Sequence, residues 1–188
     1  MNSAAELIAR VREGDDEAFG MIFERYSRPV MSFIYHMIGE RDAAEELAQD
    51  TFVRAYKNIH ALRDESKLSV WLFGIAKNVA RESLRARRRS GGEVALDDAA
   101  AQLLSDGAPL PDNQLLGKEL GGVIRKALGS LNEDKRLVFV LREFHQRSYE
   151  EIAEITGFSM PKLKGDLHRA RAEMRSLIRP YMEVRDEV

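Results

Sequence analysis

Apolar residues recur at helical spacing along the first half of the chain, and polar or glycine-containing breaks divide them into segments. A short amphipathic helix is predicted over residues 4–12. The next helix should begin at Asp15 or Asp16, and Pro29 should divide it, because proline lacks the amide that an interior turn needs. The positions predicted to face inward are Leu7, Ile8, Val11, Phe19, Ile22, Phe23, Tyr26, Val30, Phe33, Ile34, Met37 and Ile38.

Two more helices are predicted before residue 90. One should open at Asp42, with Glu45 in the position of a capping box, and it carries a polar face beside its apolar one. Residues 59–69 break the helical pattern, after which Ser66 or Ser69 should cap a helix that runs to about residue 88. The inward positions of these two helices are Ala44, Leu47, Ala48, Phe52, Tyr56, Leu68, Leu72, Ile75 and Val79.

The helical pattern fails over residues 90–112, where glycine and proline interrupt a sequence rich in Asp and Ala. Such a stretch is unusual inside one compact domain, so it predicts a linker between domains at residues 1–89 and 113–188. The linker can hold a short helix at 97–104, and the helical pattern resumes near Leu115.

The segment 147–175 is predicted to form two helices joined by a short turn. Ser148 and Glu151 have the spacing of a capping box, and Gly157 suits a left-handed helix end. The second helix carries an apolar stripe and, beside it, a basic row, which consist of Leu163, Leu167, Ala170 and Met174 and of Lys164, His168, Arg171 and Arg175. This pattern is typical of a helix-turn-helix whose second helix enters the DNA major groove, but an αα-hairpin with a solvated polar face fits the same spacing.

Composition supports an all-α protein, since strand-forming patterns are scarce and 44% of the 188 residues are hydrophobic. There is no cysteine, and the four histidines show no ligand spacing, so neither a metal nor another cofactor is expected. No apolar run approaches the length of a membrane span, and the N-terminus lacks a signal-peptide pattern, so we expect a cytoplasmic protein. No carboxylate pair, Ser/His arrangement or phosphate-binding glycine loop predicts an enzyme or a catalytic residue.

Charge is distributed unevenly along the chain. The net charge is −2, with +1 over residues 1–89, −5 over 90–120 and +2 over 121–188. This distribution favours two halves that contact nucleic acid, joined by an acidic connector.

The helix that ends near residue 88 carries a polar line suited to nucleic acid. Asn78, Arg81, Arg85 and Arg88 follow one another at helical spacing. Guanidinium groups suit a phosphate backbone, and an amide can read a base edge. Trp71 offers a surface on which an unstacked base could stack, although a lone tryptophan in a small helical domain is more often part of the core.

Taken in order, the motifs of both halves resemble those of RNA polymerase sigma factors of the extracytoplasmic-function (ECF) type, over roughly residues 4–180. In the first half the matching residues are Ala18-Phe19, Arg25-Tyr26, Ala44 to Phe52 and Trp71 to Asn78. In the second half they are Leu131, Arg136, Val138, Ser148 to Ala153 and Leu167 to Arg171. Each motif is weak alone, but their order and spacing are together specific.

The resemblance implies a protein that directs core RNA polymerase to promoters and helps to separate the DNA strands, without covalent catalysis. A docking helix would meet the clamp coiled coil of the polymerase through Glu46, Gln49, Asp50 and Arg54. The −10 element would be read and melted by Arg63, Ser66, Lys67, Trp71, Lys77, Asn78, Arg81 and Arg85. The second domain would rest on the polymerase flap and read the −35 element through Lys162, Lys164, Gly165, His168, Arg169, Arg171 and Arg175. An anti-sigma factor is implied as a further partner.

Four positions depart from the pattern of the family. Gly74 stands where arginine is usual, and Pro161, Gly165 and Asp166 replace the usual residues of the recognition helix. Asp166 can pair weakly with Lys162 one turn earlier, so we expect an altered −35 preference rather than loss of DNA binding.

Two other functions fit parts of the sequence. One is a sigma-like mimic that binds an anti-sigma factor without reading DNA. The other is a helix-turn-helix repressor with a helical sensing domain, which would explain 147–175 but not the line from Asn78 to Arg88.

Overall fold

The computed structural model describes the backbone of residues 3–90 and 111–183, with the side chains of residues 120–181 in the second range. Every regular element in these ranges is helical, which confirms the predicted all-α class. The helices are α1 (Ala4–Arg12), α2 (Asp16–Ile38), α3 (Arg41–Lys57), α4 (Leu68–Arg89), α5 (Pro111–Ser130), α6 (Glu133–Phe139), α7 (Tyr149–Thr156) and α8 (Met160–Glu183), with short 3-10 turns at Ile59–Ala61 and Glu65–Lys67 and a π-helical turn at Val140–Phe144.

Helix α2 is the centre of the first half and packs against α1, α3 and α4. Phe33 of α2 and Phe73 of α4 are wholly buried, and their ring centroids lie 5.4 Å apart. Burying a large apolar side chain contributes about 1.5–3 kcal/mol, so contacts of this kind hold α4 in a fixed position on α2.

Pro29 does not divide α2, so that prediction was wrong. The helix runs unbroken from Asp16 to Ile38 with the proline inside it. An interior proline costs about 3 kcal/mol, because it removes a backbone hydrogen bond and crowds the preceding turn. Ile22 before it and Val30 after it are both fully buried. Burial of the apolar face on both sides of Pro29 therefore offsets the cost and keeps the helix continuous.

The predicted start of α3 was also wrong. The helix begins at Arg41 rather than Asp42, and the preceding Glu40 makes no capping hydrogen bond with its side chain. Glu45 binds Arg41 one turn earlier, at 3.1 Å, so it does not reach back to complete a capping box. An intrahelical ion pair has replaced the predicted cap.

Two aromatic residues that were predicted to face inward are exposed. Phe23 is 43% exposed and rests edge-on against Phe52, with 4.9 Å between ring centroids. Tyr56 is 44% exposed, and its hydroxyl donates a 2.6 Å hydrogen bond to Asp16. Both residues lie at the margin of the apolar face, where a ring can cover the core with one side and meet solvent with the other.

The first helix of the second half begins earlier than the sequence predicted. Helix α5 starts at Pro111, not near Leu115. Proline is tolerated in a first helical turn, because its missing amide has no partner there. The helix predicted at 97–104 lies outside the described residues.

Helices α7 and α8 form the predicted helix-turn-helix. Ser148 and Glu151 make both bonds of the capping box, and Gly157 ends α7 with a φ of 74°. The predicted apolar stripe of α8 is buried throughout, at Leu163, Leu167, Ala170 and Met174.

The two halves also pack against each other, with α7 on α4 and both α5 and the π-helical turn on α2. The His145 ring lies 5.9 Å from Phe33 and 5.2 Å from Phe73. Arg147 lies 4.4 Å above the Phe73 ring and donates to the Ser69 hydroxyl at 2.6 Å. One apolar cluster therefore continues from the first half into the second.

Candidate nucleic-acid interface

A cavity of about 530 Å³ opens between the loop after α3 and the first turns of α4. Trp71 lines this cavity and packs in part against the core, while the neighbouring Asn78 is exposed. Gly74 lies between them in the sequence and leaves the wall without a side chain. The residues predicted for the −10 element that line this cavity are Arg63, Lys67, Trp71, Lys77 and Asn78. The cavity thus combines an aromatic ring, an amide and three cations, which suit a base and its phosphates.

Asp64 holds the turn before α4. Its carboxylate accepts hydrogen bonds from the Ser66 hydroxyl and backbone amide, and these bonds lower the pKa of Asp64. Helix α4 then begins at Leu68 directly after the turn, preceded by Lys67 without a side-chain cap. The prediction that Ser66 or Ser69 caps α4 was therefore wrong. Ser66 is exposed on the turn and is not among the residues that line the cavity.

A second cavity, of about 720 Å³, lies where α4 meets α6 and is lined largely by arginine. Arg81 lies 2.7 Å from Glu133 and 2.5 Å from Asp134, both in the first turn of α6. Arg88 also pairs with Glu133, at 3.0 Å, whereas Arg85 is exposed. Part of the predicted DNA-binding line is therefore in contact with carboxylates of the second half.

The second half also forms one side of the first cavity, through Glu154 and Ile155 of α7. Lys67 pairs with Glu154 at 2.6 Å, and Lys77 donates a 2.8 Å hydrogen bond to the Ile155 carbonyl. Burial, with the nearby charge of Arg81, lowers the pKa of Lys77. Both lysines predicted to contact the −10 element thus have partners in α7.

The basic row of α8 is exposed along its whole length, at Lys164, His168, Arg171 and Arg175. Arg171 pairs with Glu143 at 2.7 Å, and the Lys164 ammonium lies 5.8 Å from the Tyr149 ring. The buried stripe and this exposed row therefore lie on the neighbouring sides of α8 that the sequence spacing predicted.

Asp166 is 6% exposed and forms two ion pairs within α8. It lies 2.6 Å from Lys162, as predicted, and 2.7 Å from Arg169, which was not predicted. Burial alone would raise the pKa of Asp166, but hydrogen bonds from Lys162 and Arg169 lower it below the ordinary value. A Cβ at Gly165 would lie 3.4 Å from the Arg169 guanidinium, so the glycine leaves room for that side chain.

The polar face of α3 divides into an open part and a paired part. Glu46 and Gln49 are exposed. Arg54 lies 2.9 Å from Asp50 and 2.8 Å from Glu82 of α4. The first two residues of the predicted docking face are accessible, and the last two are held in a network with α4.

A buried polar cluster between the halves was not predicted. The His36 ring lies 4.1 Å from Phe144 and 6.4 Å from His145. Burial lowers the pKa of His36 to about 4 and is the main cause that lowers that of His145 to about 3. Nearby, Arg136 donates to the Met37 carbonyl at 2.6 Å. No spacing rule links residues so distant in the chain, so the sequence held no signal for this cluster.

Comparison with known proteins identifies both halves. Two family models match, Sigma-70 region 2 over residues 22–90 and Sigma-70, region 4 over residues 122–174. The ECF RNA polymerase sigma-E factor of Haemophilus influenzae is 31% identical over 182 residues, which cover 94% of this chain and 95% of the relative. The chain belongs to the ECF sigma factors. The sigma-E factor of Escherichia coli is likewise 31% identical, over 94% of each chain.

This ECF sigma factor therefore binds core RNA polymerase and directs it to promoters, where it reads the −10 and −35 elements and assists strand opening. A simple helix-turn-helix repressor would not carry the first of the two regions.

Two solved structures share the fold. The sigma factor RpoE of Bartonella quintana, solved with the anti-sigma factor NepR, is 25% identical with a TM-score of 0.68, over 86% of this chain and 96% of that chain. CnrH, solved with the cytosolic domain of CnrY, is 24% identical with the same TM-score, over 93% and 96%. Among the described helices none is long and apolar enough to cross a membrane. Nor do the described residues include a group of three or more His, Asp or Glu side chains arranged to hold a metal ion.

Proposed function

We propose that the cavity around Trp71 and Asn78 receives a base flipped from the non-template strand of the −10 element. The observation that supports this proposal is that five of the residues predicted to read the −10 element line a single cavity. Stacking on an aromatic ring contributes about 1–3 kcal/mol per base, and extraction of a base costs a few kcal/mol. The indole and a hydrogen bond from Asn78 can therefore offset much of the cost of strand opening.

The cations around this cavity would hold the sugar-phosphate backbone of the opened strand. Arg63, Lys67 and Lys77 line the same cavity, and Ser66 lies on the adjoining turn. Arg81 and Arg85 continue along α4 and line the second cavity. Contacts of this kind position the strand, whereas the base contact at Asn78 supplies sequence preference.

The exposed row of α8 is our candidate for reading the −35 element. Lys164, His168, Arg171 and Arg175 are exposed on one side of a helix whose neighbouring stripe is buried, which suits insertion into a major groove. Lys162, Gly165 and Arg169 would complete this surface. Since Asp166 binds two of these cations, we expect fewer phosphate contacts near the start of α8 than its cationic residues would suggest.

The polymerase contacts follow the division into domains at 1–89 and 113–188, with 90–112 as the connector. The exposed Glu46 and Gln49, with Asp50 and Arg54, would meet basic residues of the clamp coiled coil. The second domain would rest on the flap, and an anti-sigma factor would act as a regulatory partner. The sigma factor would supply no covalent chemistry, which belongs to the polymerase.

A reconstituted transcription system tests the proposal. The purified protein is mixed with core polymerase and promoter DNA, and open complexes are detected by permanganate reactivity of unpaired thymines. Trp71→Ala and Asn78→Ala should each reduce opening about fivefold or more, since each loses a base contact worth about 1–3 kcal/mol. The matched control is Asn58→Ala, an exposed asparagine after α3. Equal opening by Trp71→Ala and the control would exclude the cavity as the base site, and a sigma-like mimic would give no open complex at all.

The assignment of α8 is tested by the salt dependence of promoter binding. The double variant Arg171→Ala/Arg175→Ala, in the exposed row, should flatten the slope of log K against log salt by about 2 when two phosphate contacts are lost. Arg28→Ala/Arg41→Ala removes two arginines of the first half, outside the proposed surfaces, as a matched control. An unchanged slope for the first variant would show that α8 does not contact DNA through these residues.

A further inference from the structure

We propose that Glu133, Asp134 and Glu154 of the second half form a mimic of DNA phosphates that occupies the −10-reading surface of the first half until promoter DNA displaces it. The inference rests on the function proposed above for that surface. The three carboxylates contact cations of α4 and of the turn before it, namely Arg81, Arg88 and Lys67.

The contacts have the geometry that a phosphate would adopt. Arg81 faces two carboxylates at 2.7 and 2.5 Å, and its side chain is only 19% exposed. Glu133 is shared between Arg81 and Arg88 and is 16% exposed. Guanidinium groups bind carboxylate and phosphate oxygens through the same donors, so one group can replace the other. A strand of DNA and the first turn of α6 therefore compete for the same donors.

Helix capping alone does not explain this arrangement. Acidic residues in a first helical turn are stabilised by the helix dipole, and Glu133 and Asp134 meet that condition. Glu150 occupies the same part of α7, but its carboxylate is held by its own backbone and by Ser148. The dipole thus accounts for an acidic first turn, but the contact with Arg81 is particular to α6.

Asp134 connects the two DNA-reading surfaces directly. One carboxylate oxygen lies 2.5 Å from Arg81 of α4, and the other lies 2.8 Å from Lys162 of α8. The −10 and −35 elements are separated by roughly 25 base pairs, or about 85 Å of duplex at about 3.4 Å per step. Residues that share one carboxylate cannot reach both elements at once. The arrangement therefore has to open before both surfaces engage a promoter.

The test uses the full-length double variant Glu133→Gln/Asp134→Asn. The probe is a fluorescein-labelled single-stranded DNA of about 20 random nucleotides, titrated without polymerase at several salt concentrations. Release of Arg81 and Arg88 should tighten binding about tenfold and steepen the salt slope by about 1.4, at roughly 0.7 per phosphate gained. The matched control, Glu150→Gln/Glu173→Gln, removes the same charge from the second half, and it also includes one first-turn residue.

A distance measurement gives a second readout. The chain has no cysteine, so Lys57→Cys and Ser176→Cys place one label on each half. Addition of the same single-stranded DNA should lengthen the distance between labels, and Glu133→Gln/Asp134→Asn should lengthen it without DNA.

Tighter binding and a longer distance for the α6 variant alone support the mimic. Equal tightening by the control would attribute the effect to net charge and overturn the proposal, as would unchanged binding by both. The proposed base site is tested by a different experiment: it is refuted if Trp71→Ala and Asn78→Ala leave promoter opening unchanged.

Discussion

Acidification should destabilise this sigma factor through the two histidines buried between its halves. His36 is 7% exposed, and the Nε2 atoms of His36 and His145 are buried without a hydrogen-bond partner among the described residues. Burial lowers the pKa of His36 to about 4; burial, followed by the charges of His36 and Arg147, lowers that of His145 to about 3. Of the other side chains in contact with the pair, Ser32, Phe33, Tyr35, Phe73 and Phe144 carry no charge. The cavity that His36 lines also includes the cations Arg125, Lys126 and Arg136.

The sign and the size of the effect follow from proton linkage. An unfolded histidine has a pKa near 6.5, so below that pH the unfolded chain binds more protons than the folded one. The stability conferred by the neutral rings is fully present above about pH 6.5 and is lost progressively as the pH falls toward 4. One pKa unit corresponds to about 1.4 kcal/mol, so at about pH 5 each ring costs about 2 kcal/mol and the pair about 4. That is a large part of an ordinary folding free energy of about 5–15 kcal/mol.

Urea unfolding followed by circular dichroism at about pH 7.5 and about pH 5, at constant ionic strength, measures this loss. The double variant His36→Gln/His145→Gln has no ring to protonate and should lose much less stability over the same interval, even though it starts less stable. His60→Gln/His168→Gln changes the two exposed histidines and should keep the pH dependence of the wild type. If the buried-pair variant loses as much as the wild type, the histidines are not the acid-sensitive groups.

Two further substitutions test local features. Gly74→Ala should raise stability by about 0.8–1 kcal/mol through helix propensity, since nothing lies within 4 Å of the added Cβ, and should also change the preferred −10 sequence because the residue lines the cavity. Thermal unfolding measures the change in stability, and open-complex formation on a panel of promoters measures the change in −10 preference. The control Gly20→Ala, on α2 with nothing within 4 Å of the added Cβ, should change stability alone. An identical shift in promoter preference in both variants would contradict a role for residue 74 in −10 reading. Ser148→Ala removes the capping box of α7 and should lower the free energy of unfolding in urea by about 1 kcal/mol. Ser3→Ala, at the exposed capping box of α1, should lower it by less. An unchanged free energy of unfolding for Ser148→Ala would mean that the box does not stabilise the helix-turn-helix.

Sequence patterns predicted most of the helices, because apolar periodicity reports which face of each helix is buried. The cap at Ser148 was predicted correctly, since both partners of its box lie within one turn. The cap at Asp42 failed, because the pattern could not show that Glu45 would pair with Arg41. The break predicted at Pro29 does not occur, because the packing that offsets the cost of an interior proline comes from other helices.

The sequence predicted the residues of α4 that line the candidate cavity, but not the residues of α7 that contact them. Trp71 and Asn78 lie within two turns of one helix, so helical geometry alone brings them near each other. The partners of Lys67 and Lys77 in α7 are Glu154 and Ile155, which lie 87 and 78 residues further along the chain. No local rule connects residues so far apart. Long-range ion pairs depend on how the halves pack, which sequence spacing does not determine.

The way in which the halves meet is consistent with a contact built to separate. Arg81 and Arg88 of α4 are paired with carboxylates of α6, although an apolar cover would often be as stable as an ion pair. Arg81 buried under an apolar surface would be an unpaired charge, at a cost of several kcal/mol. Under Glu133 and Asp134 it is paired when the halves are closed, and on a phosphate backbone it would be paired when they are open. Exchange of a carboxylate for a phosphate therefore leaves Arg81 paired in either state. What promoter DNA has to overcome is the apolar contact around His145 and the hydrogen bonds that Arg136 and Arg147 donate to the first half.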